Sequence, residues 1–365
     1  MTSLRDTLQG AVVMAPMTKG SNLPYRQLCI ELGARVTMSE MTVARRLKQK
    51  RKGEFALIRK ATDEPFFGVQ LAGNNPEEMA WAAALVESRG ADLIDVNLGC
   101  PIDFFTRKGL GAALGRQPSR VRRIVEAMKQ AAFKTPVTVK IRLGWKEDSK
   151  NYLELATAAV DGGADAIFVH GRTREQRYTK AADWDAIGEI VAAVPVPVIG
   201  NGDILYRHDV AEAFARAGCT AVMAARGVLI KPWLYRELAG GSEDPSAEER
   251  LDLYRRYVQL AKAHWGEDEV GIERIRPFLQ WHFGFWCRYV PPRADGTYPG
   301  LQQREAITPR SPLEALLART DAEAHAYLTD VLLKGEEIDL AAVPPPAVEP
   351  ADPRGRRDAE DESAG

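Results

Sequence analysis

PVTVK (136–140), AIFVH (166–170), VPVIGN (196–201) and AVMAAR (221–226) are four short, evenly spaced apolar runs, each closing on a polar or charged residue. Toward the N-terminus the same signature recurs in AVVMAPM (11–17), RVTMSEM (35–41, with Glu40 near its end), PFFGVQ (65–70) and LIDVN (93–97). The intervening segments, PEEMAWAAALVESRG (76–90) and SRVRRIVEAMKQAA (119–132) among them, carry helical spacing. Continuous Val/Ile-rich runs read as buried strands, and strand–helix alternation implies parallel pairing. Eight such units predict an α/β chain folded as a (β/α)8 TIM barrel, whose strand C-termini converge on one mouth. Polar residues at the strand ends then mark the active rim.

The barrel is expected within residues 1–240, with its strands from residue 11 onward. GGSEDP (240–245) reads as a linker. Ser246 and Glu249 form a capping-box pattern opening a small C-terminal helical domain over 246–335. Its first helix repeats Leu251, Tyr254, Val258, Ala261 and Trp265 on one face. A second helix, about 270–290, is expected to kink or break at Pro277. Short helices follow near 312–319 and 321–334, and the domain is expected behind the barrel. Its aromatics, Trp281, Phe283, Phe285, Trp286 and Tyr289, read as core, with base stacking as the alternative. Residues 336–365 read as a disordered acidic tail.

Of 365 residues, 45% are hydrophobic and 27% charged, the balance of a soluble globular protein. No apolar run reaches the ~20 residues of a membrane span, and MTSLRDTLQG has no signal core, so a cytoplasmic, membrane-free protein is expected, with a monomer as the default state. Cys29, Cys100, Cys219 and Cys287 are too widely spaced for a zinc site or redox pair, and no metal is expected. The net charge of −1 hides an asymmetry: nine acidic residues and three arginines from Glu336 onward leave residues 1–335 at +5.

Gly200-Asn201-Gly202-Asp203 and Ala225-Arg226-Gly227 end strands seven and eight, where barrels build phosphate sites from backbone N–H groups. Arg226 adds a charge-assisted contact; the competing reading of the glycines is tight turning alone. Lys140 at a barrel mouth is costly unless it meets an anion, such as the N1–O2 edge of a reduced flavin. His170 reads either as a cofactor or substrate contact or as a hydrogen-bonded rim residue. Gln70 and Asn97 offer amides to a flavin or pyrimidine edge, or to barrel backbone. Cys100 follows strand four in the loop GCPIDFFTRKGLG, where a protonated thiol can serve as a general acid. The other three cysteines read as buried apolar residues. Arg45, Arg46, Lys48, Lys50, Arg51 and Lys52, with Arg107, Lys108, Arg172, Arg174, Arg177 and Lys180 in other mouth loops, form a basic rim suited to a polyanion. Singly, each cluster reads as a solvated face.

In order along the barrel, APM (15–17), SEM (39–41), GVQLAG (68–73), VNLGCP (96–101), VKIRLGW (139–145), HGRTREQRY (170–178), GNGDI (200–204) and ARG (225–227) resemble the tRNA-dihydrouridine synthase family. APMTKGSNLPYR, REQRYTKAADW, ARGVLIKPWLY and FWCRYVP resemble its eukaryotic variable-loop branch, the tRNA-dihydrouridine(47) synthase-like enzymes. That branch carries zinc-finger extensions, and these residues contain none. The resemblance implies FMN held by Pro16, Met17, Thr18, Gln70, Lys140, His170, Asn201, Gly202, Asp203, Ala225 and Arg226. It implies NADPH as reductant, hydride delivery to uracil C6, and Cys100 as proton donor to C5. Asn97, Arg142, Arg177 and Tyr178 would position the substrate, a uridine of tRNA. Asp203 stands where many members have Glu, and Ala225 where many have Gly. Two readings compete with this one: a flavin-dependent dihydroorotate or dihydropyrimidine dehydrogenase acting on a free pyrimidine, and a non-catalytic RNA-binding factor. The basic rim and helical domain argue against the first, and Cys100, Lys140, His170 and the phosphate loops against the second.

Overall fold

The computed structural model describes residues 3–302 and 305–346. Its strands are β1 (Val12–Met14), β2 (Thr37–Met38), β3 (Thr42–Val43), β4 (Phe67–Ala72), β5 (Leu93–Leu98), β6 (Val137–Arg142), β7 (Ala166–His170), β8 (Val198–Asn201) and β9 (Ala221–Ala224). All pairings are parallel, in the order β1-β9-β8-β7-β6-β5-β4-β2. The Met14 N–H donates to Val36 O (3.0 Å), just ahead of β2, and so closes the sheet on itself. This is the expected TIM barrel.

Nine strands replace eight because the second run is broken. Thr37 and Met38 align with Phe67 and Gly68, whereas Thr42 and Val43 align with Leu71 and Ala72. Four steps on one strand therefore oppose three on β4, a one-residue bulge at Ser39–Met41. The bulge turns Ser39 inward, and its hydroxyl accepts from the Gln70 N–H (3.0 Å). Gln70, Asn97 and Lys140 lie within strands rather than at their ends, because β4, β5 and β6 run on by one or two residues.

Ser246 and Glu249 cap the helix Ala247–Trp265 reciprocally, at 2.8 and 3.1 Å. The helix Glu269–Trp286 passes through Pro277 without ending. Pro312–Leu317 and Ala322–Lys334 follow. These helices pack on the flank of the barrel, against the helix Leu23–Glu31 after β1 and the helix Arg226–Ile230 after β9. Tyr25 joins the three parts: it stacks on His282 (4.2 Å), meets Tyr257 edge-on, and donates its hydroxyl proton to Val228 O (2.7 Å). Trp281, Phe283, Phe285, Trp286 and Tyr289 are buried there as core.

The tail begins later than its composition suggests. Arg255 reaches Glu337 (2.7 Å), Tyr327 donates to Asp339 O (2.7 Å), and Arg319 donates to Pro344 O (2.7 Å). Residues 347–365 of that expected tail lie outside the described residues. Among the described residues, no helix is long and apolar enough to cross a membrane.

Candidate active site

Strand register assembles the site in layers. Gln70, Asp95 and Thr138 are Cα partners on β4, β5 and β6. Their side chains join: Asp95 accepts from Gln70 Nε2 (2.8 Å) and from the Thr138 hydroxyl (2.8 Å). Gln70 Oε1 in turn accepts from Asn97 Nδ2 (2.7 Å), and Asn97 Oδ1 accepts from the Cys100 N–H (3.0 Å). A continuous relay thus runs from the barrel interior to the Cys100 loop. Asn97 partners Lys140 across β5–β6, and Arg142, His170 and Asn201 are aligned across β6–β8 at the rim.

The upper members of this array line one open cleft at the barrel mouth. Pro16, Gln70, Asn97, Cys100, Lys140, Arg142, His170, Tyr178, Asn201, Gly202, Asp203, Ala225 and Arg226 all face it. Met17, Thr18 and Arg177 are not among its lining residues. Met17 is buried, its N–H donating to Ser21 Oγ (2.9 Å), so it holds the loop after β1 instead. Arg177 adopts φ +45° beside Tyr178, which turns into the cleft under the Arg226 guanidinium (3.7 Å). Arg172 had read as a rim cation. It is buried, with both Asp203 oxygens as acceptors and Lys180 O as a third.

Positive charge dominates the cleft. Lys140 donates to Asn201 Oδ1 (3.2 Å), and Arg142 donates to Gly99 O (2.7 Å) and Thr173 O (3.1 Å). Burial, then the neighbouring Arg142, lowers Lys140 to about 8. Burial lowers Arg142 to about 10. Burial and four surrounding cations hold His170 well below its ordinary value, so its imidazole is neutral. Burial raises the Cys100 thiol, which is therefore protonated at neutral pH. Such a set accepts an anion and holds a proton on sulfur.

Three contributors had no distinct sequence signal. Asp95 sits inside an apolar run, and burial raises it to about 6. Gly111, at φ +58°, lies so close to Cys100 that a Cβ would meet Cys100 O at 2.6 Å and Cβ at 2.9 Å. Leu301 lines the cleft from the far end of the chain. Gly227 serves packing: a Cβ there would meet Ile204 O at 1.7 Å, so it permits the loops after β8 and β9 to touch. Among the described residues, no group of three or more His, Cys, Asp or Glu side chains could hold a metal ion.

A dihydrouridine synthase (Dus) family model matches residues 13–285. A Coprinopsis cinerea protein named tRNA-dihydrouridine(47) synthase, NAD(P)(+), is 38% identical over 342 residues, covering 89% of this chain and 51% of that protein. A Homo sapiens protein of the same name, suffixed "-like", is 40% identical over 348 residues, covering 93% and 53%. The chain thus spans about half the length of the curated relatives it matches. Among solved structures, the 6-hydroxypseudooxynicotine amine oxidase of Pseudomonas geniculata N1 superposes with a TM-score of 0.52 at 13% identity, covering 64% of this chain and 47% of that one. A 2-naphthoyl-CoA reductase gives 0.52 at 11%, covering 64% and 50%. At such identities the likeness is one of fold.

Proposed function

This chain belongs to the dihydrouridine synthase family, and on that premise we propose that it reduces a uridine of tRNA to 5,6-dihydrouridine with FMN as cofactor and NADPH as reductant. The relatives' names make position 47 the first candidate. The observation that carries the proposal is the convergence of Asn97, Cys100, Lys140 and Arg142 from two neighbouring strands and the loop between them onto one cation-rich cleft.

The residues fit FMN. Lys140 is a half-buried ammonium with no carboxylate in ion-pair range among the described residues, the electrostatics that an anionic flavin completes. Arg226 and the backbone around Gly202 and Ala225 face the same cleft and suit the phosphate. Neutral His170 and the Asn201 amide add polar contacts between these two regions. When bound, FMN supplies the hydride to uracil C6 and is recharged by NADPH.

Cys100 performs the complementary step: its S–H bond breaks and the proton passes to C5, completing addition across the C5–C6 bond. Its raised thiol pKa keeps that proton in place at neutral pH. The relay from Asp95 through Gln70 and Asn97 orients the Cys100 backbone, and Arg142 on Gly99 O braces the same loop. A stacked uridine exposes neither ring face, so the nucleotide must be extruded into the cleft. Lys48, Lys50, Arg51 and Lys52, exposed after β3, and Lys108, seated over the exposed Phe104 ring (3.7 Å), offer the RNA phosphate contacts and a stacking surface.

The test is Cys100→Ala assayed on unmodified tRNA. Flavin binding is expected to persist while dihydrouridine formation falls by about 10²–10⁴-fold, the usual worth of a general acid. Full activity in that variant rules out the proton-donor assignment. Rapid turnover of free uracil or orotate by the unaltered protein favours the free-pyrimidine rival instead.

A further inference from the structure

Residues 287–311 connect the helix Glu269–Trp286 to Pro312–Leu317 and contain no helix or strand among those described. They return to the barrel mouth in three steps. Val290 O accepts from the Tyr206 hydroxyl (2.5 Å), and the Tyr289 hydroxyl donates to Asp244 Oδ1 (2.9 Å). Tyr298 stacks on His208 (5.0 Å, 8° between planes) and donates to Glu243 Oε2 (3.0 Å). Beyond it, Leu301 enters the wall of the cleft, and Gln302 Nε2 donates to Asp203 Oδ1 (2.7 Å).

Asp203 is where these contacts meet. It holds φ +56° in the loop after β8. Besides Gln302 it accepts from Arg172 on both oxygens and from the Ala182 N–H (2.7 Å). One carboxylate thus gathers the loop after β7, the loop after β8 and the segment from the helical domain. The resemblance to relatives implied that Asp203 touches the cofactor. The geometry adds a second role on the same cleft wall, a clasp between loops.

We propose that Leu301 and Gln302 form a strap, supplied by the helical domain, that closes the Asp203–Arg226 end of the cleft and retains FMN there. The proposal rests on the reading of the cleft as an FMN site. Leu301 excludes water from the wall, and Gln302 is a positioning residue acting through Asp203. A ligand covered by such a segment leaves only when the segment's contacts open, so its release rate depends on those contacts.

The experiment measures FMN release from the full-length holoprotein by recovery of free-flavin fluorescence, alongside the thermal unfolding of the FMN-free protein. Gln302→Ala is expected to release FMN about tenfold faster, since a hydrogen bond to a charged group is being lost, with the FMN-free melting temperature unchanged. Gln302→Glu sets a carboxylate against Asp203 and is expected to release FMN faster still, the excess shrinking as salt is raised. Tyr298→Phe, which removes only the outer anchor's hydrogen bond, acts in the same direction with a smaller effect and provides a second variant if position 302 tolerates no change. Release rates equal to the unaltered protein in all three overturn the strap. Failure of the unaltered protein to bind FMN overturns the parent reading of the cleft instead.

Discussion

Arg26 and Arg142 are both guanidinium groups sealed inside the barrel region, at 2% and 3% exposure, and they are satisfied in opposite ways. Arg26 meets Glu64 at 2.7 Å and gives its remaining protons to Ser21 O and Arg59 O. Glu64 is closed in turn by the Thr37 hydroxyl and the Ala61 N–H. Arg142 meets only carbonyls, and its neighbours in the cleft are Lys140, His170, Arg172 and Arg226. The first arrangement is electrically complete within the chain. The second, even with Asp203 paired to Arg172, leaves an excess of cations that suits an anion from outside the chain. Arg250–Glu314 and Lys231–Glu237 follow the Arg26 pattern elsewhere, so the excess of cations in the cleft is a local feature with a local purpose.

Breaking the closed pair should have the largest effect. Glu64→Ala strands a buried guanidinium, a hydroxyl and an N–H at once, and removing one partner of a buried pair costs about 3–5 kcal/mol. Denaturant unfolding reads this directly. A loss below about 1 kcal/mol would mean that water replaces Glu64, and the contrast with the cleft would dissolve.

Removing a cleft cation should do the reverse. Lys140→Met relieves a desolvated charge, so the FMN-free protein is expected to gain about 2 kcal/mol at pH 7 while losing FMN binding. The pH dependence supplies the sign. In the fold Lys140 releases its proton at about 8, whereas an unfolded lysine holds it to about 10.4. Between these values the unfolded chain binds the extra proton, so the unaltered protein gains stability with rising pH relative to the variant. The stability difference between the two should therefore shrink from pH 7 to pH 10. A constant difference across that range would show that Lys140 is already neutralised within the chain.

What made the barrel legible was chemistry at strand ends: runs closing on His170, Asn201 or the Gly200–Asp203 turn could be recognised because a polar residue interrupts an apolar period. Gln70, Asn97, Cys100, Lys140 and Arg226 could be placed at the mouth for the same reason. The bulge at Ser39–Met41 could not, since one extra residue leaves the hydrophobic run intact and changes only its register. Asp95 was hidden because its hydrogen-bond partners, Gln70 and Thr138, are distant in sequence and meet only through strand pairing. The strap was hidden for a related reason: PPRADGTYPGLQ has turn composition, and nothing local marks Leu301 and Gln302 as facing a strand end a hundred residues earlier.

Asp95 offers the finest test of the contrast, with the smallest expected effect. It is the carboxylate deepest under the cleft, and its charge partly offsets Lys140. If it balanced Lys140 as Glu64 balances Arg26, removing its charge would destabilise the fold. The geometry argues otherwise. Asn at this position can still accept from Gln70 Nε2, and its amide can donate to the Thr138 hydroxyl, which turns its own proton toward Ile94 O at 3.5 Å. Burial raises Asp95 to about 6, so between pH 4 and 6 the folded chain holds a proton that the unfolded chain has released. That contribution is lost as pH rises through 6. Asp95→Asn should match the unaltered protein in stability near pH 4 and exceed it above pH 6. With the Gln70–Asn97–Cys100 relay preserved, dihydrouridine formation should stay within about threefold, since under 1 kcal/mol is at stake. Equal loss of stability at every pH would instead make Asp95 a true counter-ion and place the cleft in the same class as the Arg26 pair.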